Sequence, residues 1–318
     1  MPSDHLPYNG VSTDSKGLTR LRKQNYSGLT LAAYWMGPIL IVVCHLGIIL
    51  SLFTGLSVGA WLWVILLYWV RMLAITAIYH RLLTHKAYSS PRAIKWIGSL
   101  VATTAGQMGP SWWKGHHEEH HRFTDQITEP HASTVGFWWA HYRWLLSSNF
   151  IPTRLPSDIE QDAALRTLDR LHFLPLIALG GLSYAVGGLE YLAAFFVSTV
   201  ILFHGVALVN SVCHKFGSQP FITDNNSRNN GLAAFLTLGE GWHNFHHAFP
   251  WSARQGLTIV GERVCYLPDF TFLFIRCLAS LGLAAKIKQP SKETVLASRS
   301  CYQDKSKARD LQHLRVGS

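Results

Sequence analysis

Histidine is the residue type in this 318-residue chain whose spacing points to chemistry. Of 17 histidines, eight fall into three tight sets: His80 and His85 in HRLLTH, His117, His120 and His121 in HEEHH, and His243, His246 and His247 in HNFHH. On a helix, positions i, i+3 and i+4 share an arc of about 100°, so each HxxHH set can send three imidazoles toward one region. His80 and His85 are five residues apart, about 140° around a regular helix. They must either reach different metals or sit where the helix unwinds. A lone histidine is ordinarily a satisfied core or surface residue, and His5, His45, His141, His172 and His313 are read that way.

Imidazole suits zinc, copper, iron and nickel, and four ligands complete a structural zinc site. Eight histidines exceed the needs of one ion, which favours a dinuclear site. His214 and Asn210, in NSVCH, are candidates for further ligands, four residues apart on one helix face at the end of an apolar run. Such a shell is neutral, so oxide, hydroxide or nearby carboxylates must balance the metals, with Asp125, Glu118, Glu119 and Glu240 as candidates. Two other patterns compete. HEEHH matches HExxH, the zinc-protease motif with Glu118 as general base, but that reading leaves six other histidines unexplained and the flanks are polar. Glu118 with His121 and Glu240 with His243 form ExxH pairs like those of ferritin-like di-iron bundles, yet the further carboxylate helices are missing. Metal transport would need polar groups within membrane spans, where only His45, His204 and a few hydroxyls are available.

Composition sets the elements that must position these residues. The chain is 48% hydrophobic, only 14% charged and carries a net charge of +10, whereas soluble domains average about 25% charged residues. That excludes an ordinary soluble enzyme. Gln24 to Val70 holds no Asp, Glu, Lys or Arg, and Leu171 to His214 holds only Glu190. A spanning helix needs about 20 apolar residues, so each block accommodates two. The expected spans are about 30–53, 58–79, 171–187 and 191–213, turning near Thr54-Gly55-Leu56-Ser57 and Gly187-Gly188-Leu189-Glu190. No short signal-like stretch precedes them, so the first span serves as its own targeting signal.

The expected fold is therefore an all-α integral membrane protein, with four transmembrane helices in two hairpins and a cytosolic helical cap carrying the histidine site. Residues 1–28 form an N-terminal tail, 29–288 a single domain with its cap in 84–170 and 215–288, and 289–318 a basic C-terminal tail. Lys16, Arg20, Arg22 and Lys23 precede the first hairpin; Arg81, Lys86, Arg92, Lys95 and Lys114 follow it, and both turns lack Lys and Arg. The positive-inside rule then places termini and site in the cytosol, at a bacterial inner membrane or endoplasmic reticulum. Five scattered cysteines without CxxC spacing agree with a reducing compartment. Ala93 to Trp113 is apolar but interrupted by Gly106, Gly109 and Pro110, and is expected to dip into the interface; Leu267 to Ala285 reads as a helix at the membrane surface.

With these residues in view, the chain resembles the membrane-bound fatty-acid desaturases, in the branch with HxxxxH, HxxHH and HxxHH boxes that includes acyl-CoA Δ9 and bacterial acyl-lipid Δ9 desaturases. The likeness covers about residues 30–260 and extends to YHRLLTHKAY, FTDQITEPH, NSVCHKFG and GWHNFHHAFP. It implies two irons that activate O2, a co-substrate, to abstract hydrogen from a methylene. By position, it implies the ligands His80, His85, His117, His120, His121, His214, His243, His246 and His247, with Asn210 contacting one iron through water. No GxGxxG follows a strand, no cysteine set can hold an iron-sulfur cluster, and there is no room for a haem domain. Electrons must come from an external donor of ferredoxin or cytochrome b5 type.

The resemblance implies a fatty acyl substrate carried on CoA, a phospholipid or an acyl-carrier protein. HxxxxH in the first box, and His243 instead of Gln opening the third, favour a cis double bond at Δ9. Hydroxylases, acetylenases, ketolases and alkene-forming decarboxylases share the tripartite pattern and are the alternatives. Membrane lipid is an expected partner and nucleic acid is not. Gly115 stands where animal acyl-CoA enzymes place an arginine, and His116 where they place an aspartate. Lys114 and neighbouring basic residues could instead meet a phospholipid headgroup or an acyl-carrier protein. Residues that bind the acyl chain are not legible.

Overall fold

The structure, a computed structural model, describes residues 25–299 and the backbone of two short N-terminal strands, β1 (Val11–Thr13) and β2 (Thr19–Leu21). The readings on His5, His313 and Cys301, and on the side chains of Lys16, Arg20, Arg22 and Lys23, lie outside the described residues. Helices α1 (Gly28–Thr54) and α2 (Val58–Thr84) lead into α3 (Arg92–Thr103), α4 (Pro110–Phe123) and α5 (Ala163–Arg170). After these come α6 (Phe173–Ser211), α7 (His243–Ala248), the hairpin β3 (Leu257–Val260) and β4 (Arg263–Tyr266), and α8 (Phe270–Ser280).

Among the described residues, α1, α2 and α6 are the three helical segments long and apolar enough to cross a membrane. Serine caps start the first two: Ser27 Oγ accepts the Thr30 N–H at 3.2 Å and Ser57 Oγ that of Ala60 at 3.3 Å. Between them the chain reverses through Gly55, at φ +65°, a conformation that favours glycine.

The third segment is not one rod. Gly187 (φ −154°, ψ 28°) and Gly188 (φ 65°, ψ −150°) leave helical space inside α6, on the dipeptide that the sequence marks as a turn. A continuous helix would separate residues 180 and 195 by about 22 Å. Instead, a Cβ built on Gly180 would lie 3.2 Å from the Phe195 ring, and Leu176 shares an apolar cluster with Phe195 and Val200. The halves of α6 therefore fold back on each other. The Ser57 N–H donates to the Glu190 carboxylate at 2.5 Å, which puts the α1–α2 turn and the α6 turn at the same end of the bundle.

Arg71 pins the opposite walls together. It is buried in α2 and donates to the Thr104 carbonyl (3.1 Å), Thr199 Oγ1 (2.8 Å) and Ser198 Oγ (2.7 Å). A guanidinium carries only donors, and here hydroxyls and carbonyls from α6 and the end of α3 meet them.

One departure from the expected fold follows from local sequence. The chain is mostly helical, not all-α: β3 and β4 pair antiparallel around Gly261, at φ 58°. LTIV and RVCY are rich in β-branched and aromatic residues and flank a Gly-Glu turn, a strand signal that the helical reading passed over. Helix α8, expected at the membrane surface, packs one face, Phe272, Ile275 and Leu278, into the main apolar core beside Ile75 and Leu82 of α2. Leu273, on its other face, is exposed.

Asp169 of α5 ties the cap to α1 and α4. Its carboxyl accepts from the Tyr34 hydroxyl at 2.9 Å and from the Trp112 N–H at 3.0 Å. Burial raises its pKa from 3.8 to about 6. Below about 3.8 the group is protonated whether folded or not; as pH rises through about 6 the folded state must ionise a buried acid, and that stability is lost. A shift of this size corresponds to about 3 kcal/mol. Asp169→Asn is expected to flatten the fall in apparent Tm between pH 4 and pH 7 relative to the wild type. Parallel curves in detergent would contradict this role.

Candidate metal centre

The first box sits on an under-wound stretch. Ala74–Thr84, the last part of α2, is π-helical, and the His85 N–H donates to the His80 carbonyl at 3.1 Å, five residues back. Bonds from i to i+5 unwind the helix, so the 140° divergence of a regular helix narrows. Of the two outcomes open from the sequence, the unwound helix is realised, and both imidazoles reach the same cluster.

The second box lies on α4, which starts cleanly because Pro110 occupies the first helical position, where no N–H is needed. The third lies on the short α7, held in place by side chains. Asn244 Oδ1 accepts the Phe221 N–H at 2.9 Å, and Asn229 Oδ1 that of Phe245 at 3.1 Å. Gly241 just before it allows close packing: a Cβ there would lie 2.0 Å from the Ala234 nitrogen.

All nine predicted histidines come together. Nitrogens of His80, His85, His117 and His246 lie within 4.8 Å of one another, as do those of His120, His214, His243 and His247. His121 bridges the quartets. Its Nε2 is 3.1 Å from that of His117 and 2.8 Å from that of His246, and its ring stacks on His247 with centroids 4.5 Å apart.

The far sides of the rings explain why the near sides face one another. His80 Nδ1 meets the Glu240 carboxylate, His120 Nδ1 that of Glu129 at 2.5 Å, and His214 Nδ1 that of Asp125 at 3.3 Å. A carboxylate behind Nδ1 keeps the proton there and turns the Nε2 lone pair inward. Burial, together with the neighbouring imidazoles, holds His117, His121, His243, His246 and His247 well below the ordinary imidazole range. Burial also lowers His120 to about 4, with Glu129 opposing the shift. Neutral rings with converging lone pairs repel unless cations lie between them. This donor set fits two metal ions, and iron is among those that imidazole suits.

Asp125 and Glu240 thus stand where the sequence reading put them, whereas Glu118 and Glu119 do not. Glu118 is exposed and faces Lys114 at 3.7 Å, and Glu119 accepts the Thr153 N–H at 2.7 Å. On α4, positions 118 and 119 point away from the arc of 117, 120 and 121. The reading of HEEHH as a protease motif loses its general base for the same reason.

His214 and Asn210 do not share a regular helix face, because α6 ends at Ser211 and His214 follows in a turn. His214 still joins the second quartet, while Asn210 lines the cavities beside it. Glu129 and Gln255 were not legible as partners. Glu129 also meets His131 Nδ1 at 3.0 Å, and the Gln255 amide lies 3.1 Å from His246 Nδ1. Glu129 falls in FTDQITEPH, a stretch that stood out in the sequence, but Gln255 carries no such signal.

Two cavities touch the centre. One of about 50 Å³ lies against His80, His117, His243, Asn210 and Glu240, enough room for small molecules such as water. The other, about 460 Å³, runs from His117, His131 and Asn210 past Trp112, Trp144 and Phe203 to the face of α1. Trp113 borders both and stacks on His117 with centroids 4.9 Å apart. Along the larger cavity, His45 and His204 lie Nε2 to Nε2 at 3.2 Å, and His204 Nδ1 is 2.9 Å from His141 Nε2. These rings satisfy one another while lining the cavity.

Position 115 is closed: a Cβ on Gly115 would lie 2.9 Å from the Arg154 carbonyl, so no large side chain fits there. His116 is buried, with Nε2 3.0 Å from the Phe150 carbonyl. Lys114, read as a possible headgroup contact, is likewise buried and donates to Asp158 at 2.7 Å.

The family model for fatty acid desaturases matches residues 55–263. The chain is 35% identical over 268 residues to the sn-1 stearoyl-lipid 9-desaturase of Anabaena variabilis, covering 81% of this chain and 95% of that protein. It is 37% identical over 238 residues to the acyl-CoA 5-desaturase AL21 of Anemone leveillei, covering 72% of each. Against the chloroplastic palmitoyl-monogalactosyldiacylglycerol delta-7 desaturase of Arabidopsis thaliana it is 36% identical over 227 residues, 70% of this chain and 60% of that one. The matched segment contains every histidine of the two quartets, and the chain belongs to the fatty acid desaturase family of oxidoreductases.

Proposed function

We propose that this chain is an O2-dependent desaturase that introduces a cis double bond, at Δ9, into a long-chain fatty acyl group. The observation that carries this reading is that the paired histidine quartets open, through His117 of the first, onto an apolar cavity of about 460 Å³ that Asn210 also lines. The nine histidines would hold two irons, with Asn210 placed to reach one of them through water. Irons bound there would activate O2 to withdraw two hydrogens from adjacent methylenes, with two electrons from a ferredoxin or cytochrome b5 type donor and two protons completing its reduction to water.

The chain's own residues hold the acyl group. Trp112, Trp113, Trp144 and Phe150 wall the cavity and keep water from the reacting carbons, while Glu240, Glu129 and Asp125 fix the rings that face them. Supporting Δ9 is the similarity to the Anabaena enzyme over 95% of its length. The relatives named for positions 5 and 7 make bond position the finer part of the proposal.

Four spans in two hairpins fit the break in α6 and the shared end of both turns. The metal centre then belongs to the opposite, Lys- and Arg-rich side, the cytosol. Expression in a desaturase-deficient host, with lipids analysed by mass spectrometry after derivatisation of double bonds, tests the reading. Monounsaturated C18 chains with the bond at carbon 9 are expected. Hydroxylated, acetylenic or terminal-alkene products would overturn it.

A further inference from the structure

We infer that the acyl chain enters this cavity sideways from the bilayer, as part of a membrane glycerolipid, through a mouth formed by Val42, Leu46 and Leu146. The inference rests on the desaturase reading and names the carrier that the sequence leaves open. None of the residues lining the cavity is Asp, Glu, Lys or Arg. Nearly all are buried or half-buried; the exposed ones are Val42 (50%), Leu46 (62%) and Leu146 (63%). The opening is therefore wholly apolar. Val42 and Leu46 belong to the outward face of α1, in line with the exposed Ile39, Val43 and Ile49. In a membrane-spanning α1, that face meets lipid tails and not water.

The other lip of the mouth has interfacial chemistry. Leu146 ends a single 3₁₀ turn, Arg143–Leu146. Side chains three apart in such a turn eclipse, so Arg143 stands on the same side as Leu146. Arg143 is exposed and makes no hydrogen bond or ion pair among the described residues. Exposed Trp138 precedes it by five residues, and tryptophan marks the membrane–water boundary. A cation at that level beside an apolar opening suits the phosphate of a glycerolipid whose acyl chain has passed inside.

A CoA thioester would arrive from water and need several cations for its phosphates. Three cap cations near the second box are held in ion pairs: Lys114 and Lys86 with Asp158, at 2.7 and 3.0 Å, and Arg92 with Asp162 at 3.8 Å.

The full chain, expressed in a desaturase-deficient bacterial host given a pulse of deuterated stearic acid, provides the test. Label should appear first in saturated glycerolipid and then in unsaturated glycerolipid, with no unsaturated acyl thioester before it. Leu146→Trp, at an exposed position, should slow that conversion by about tenfold or more through misplacement of the chain, with iron content unchanged. Arg143→Ala should slow it as well. Labelled unsaturated thioester appearing before unsaturated glycerolipid would overturn the carrier and leave the desaturase reading standing. Wild-type rates in Leu146→Trp would overturn the mouth, and no labelled alkene in any pool would overturn both readings.

Discussion

His246→Ala is expected to eliminate the desaturated product and to lower the iron content of the purified chain, while membrane insertion is unchanged. This ring is completely buried, and its Nε2 lies 3.1 Å from that of His80 and 2.8 Å from that of His121, so it joins the first box, the second box and α7. Its loss removes a donor from one quartet and uncovers the bridging His121. Insertion depends on α1, α2 and α6, none of which His246 touches through a hydrogen bond except at His80. Lipid analysis alongside metal analysis of the same membranes separates the two effects. An active, iron-replete His246→Ala protein would show that the ring is packing and not a ligand.

Glu129→Gln should have the largest effect of any change away from the nine histidines, reducing metal affinity or turnover by about 10-fold to 100-fold. The Glu129 carboxylate meets His120 Nδ1 at 2.5 Å and His131 Nδ1 at 3.0 Å, and accepts the Asp125 N–H at 2.5 Å. Burial works against its charge, but the two imidazoles beside it hold the carboxyl well below the usual carboxylate range. A glutamine offers one acceptor and one amide donor, so one of these partners is left facing N–H. The fitting control is Glu118→Gln, eleven residues earlier on the exposed face of α4. An exposed ion pair contributes about 0–1 kcal/mol, and iron binding should stay within error of the wild type. Equal losses in the two variants would contradict the assigned geometry.

How much could be read beforehand depended on the range of the interaction. The histidine boxes were legible because HxxHH spacing matches one helix face, and α4 and α7 are helical at those residues. The same periodicity, applied to residues 118 and 119, would have turned Glu118 and Glu119 away from the centre. His80 and His85 could be narrowed only to two options, because a π-helical stretch has no signature in residue spacing. The turn at Gly187-Gly188 was legible from glycine's freedom at positive φ.

Residues brought in by tertiary packing were not. Gln255 reaches His246 from a loop before β3, and the rings of His45, His204 and His141 meet across three separate segments. The Asp158 carboxylate that takes up Lys114 lies 44 residues further along the chain. Nothing local to those positions announces such partners.

Elemental analysis of the purified full chain, expressed in iron-replete medium, tests the central claim most directly. Two quartets sharing His121 predict two irons per chain and little zinc. One tightly held zinc per chain, with no iron, would contradict it.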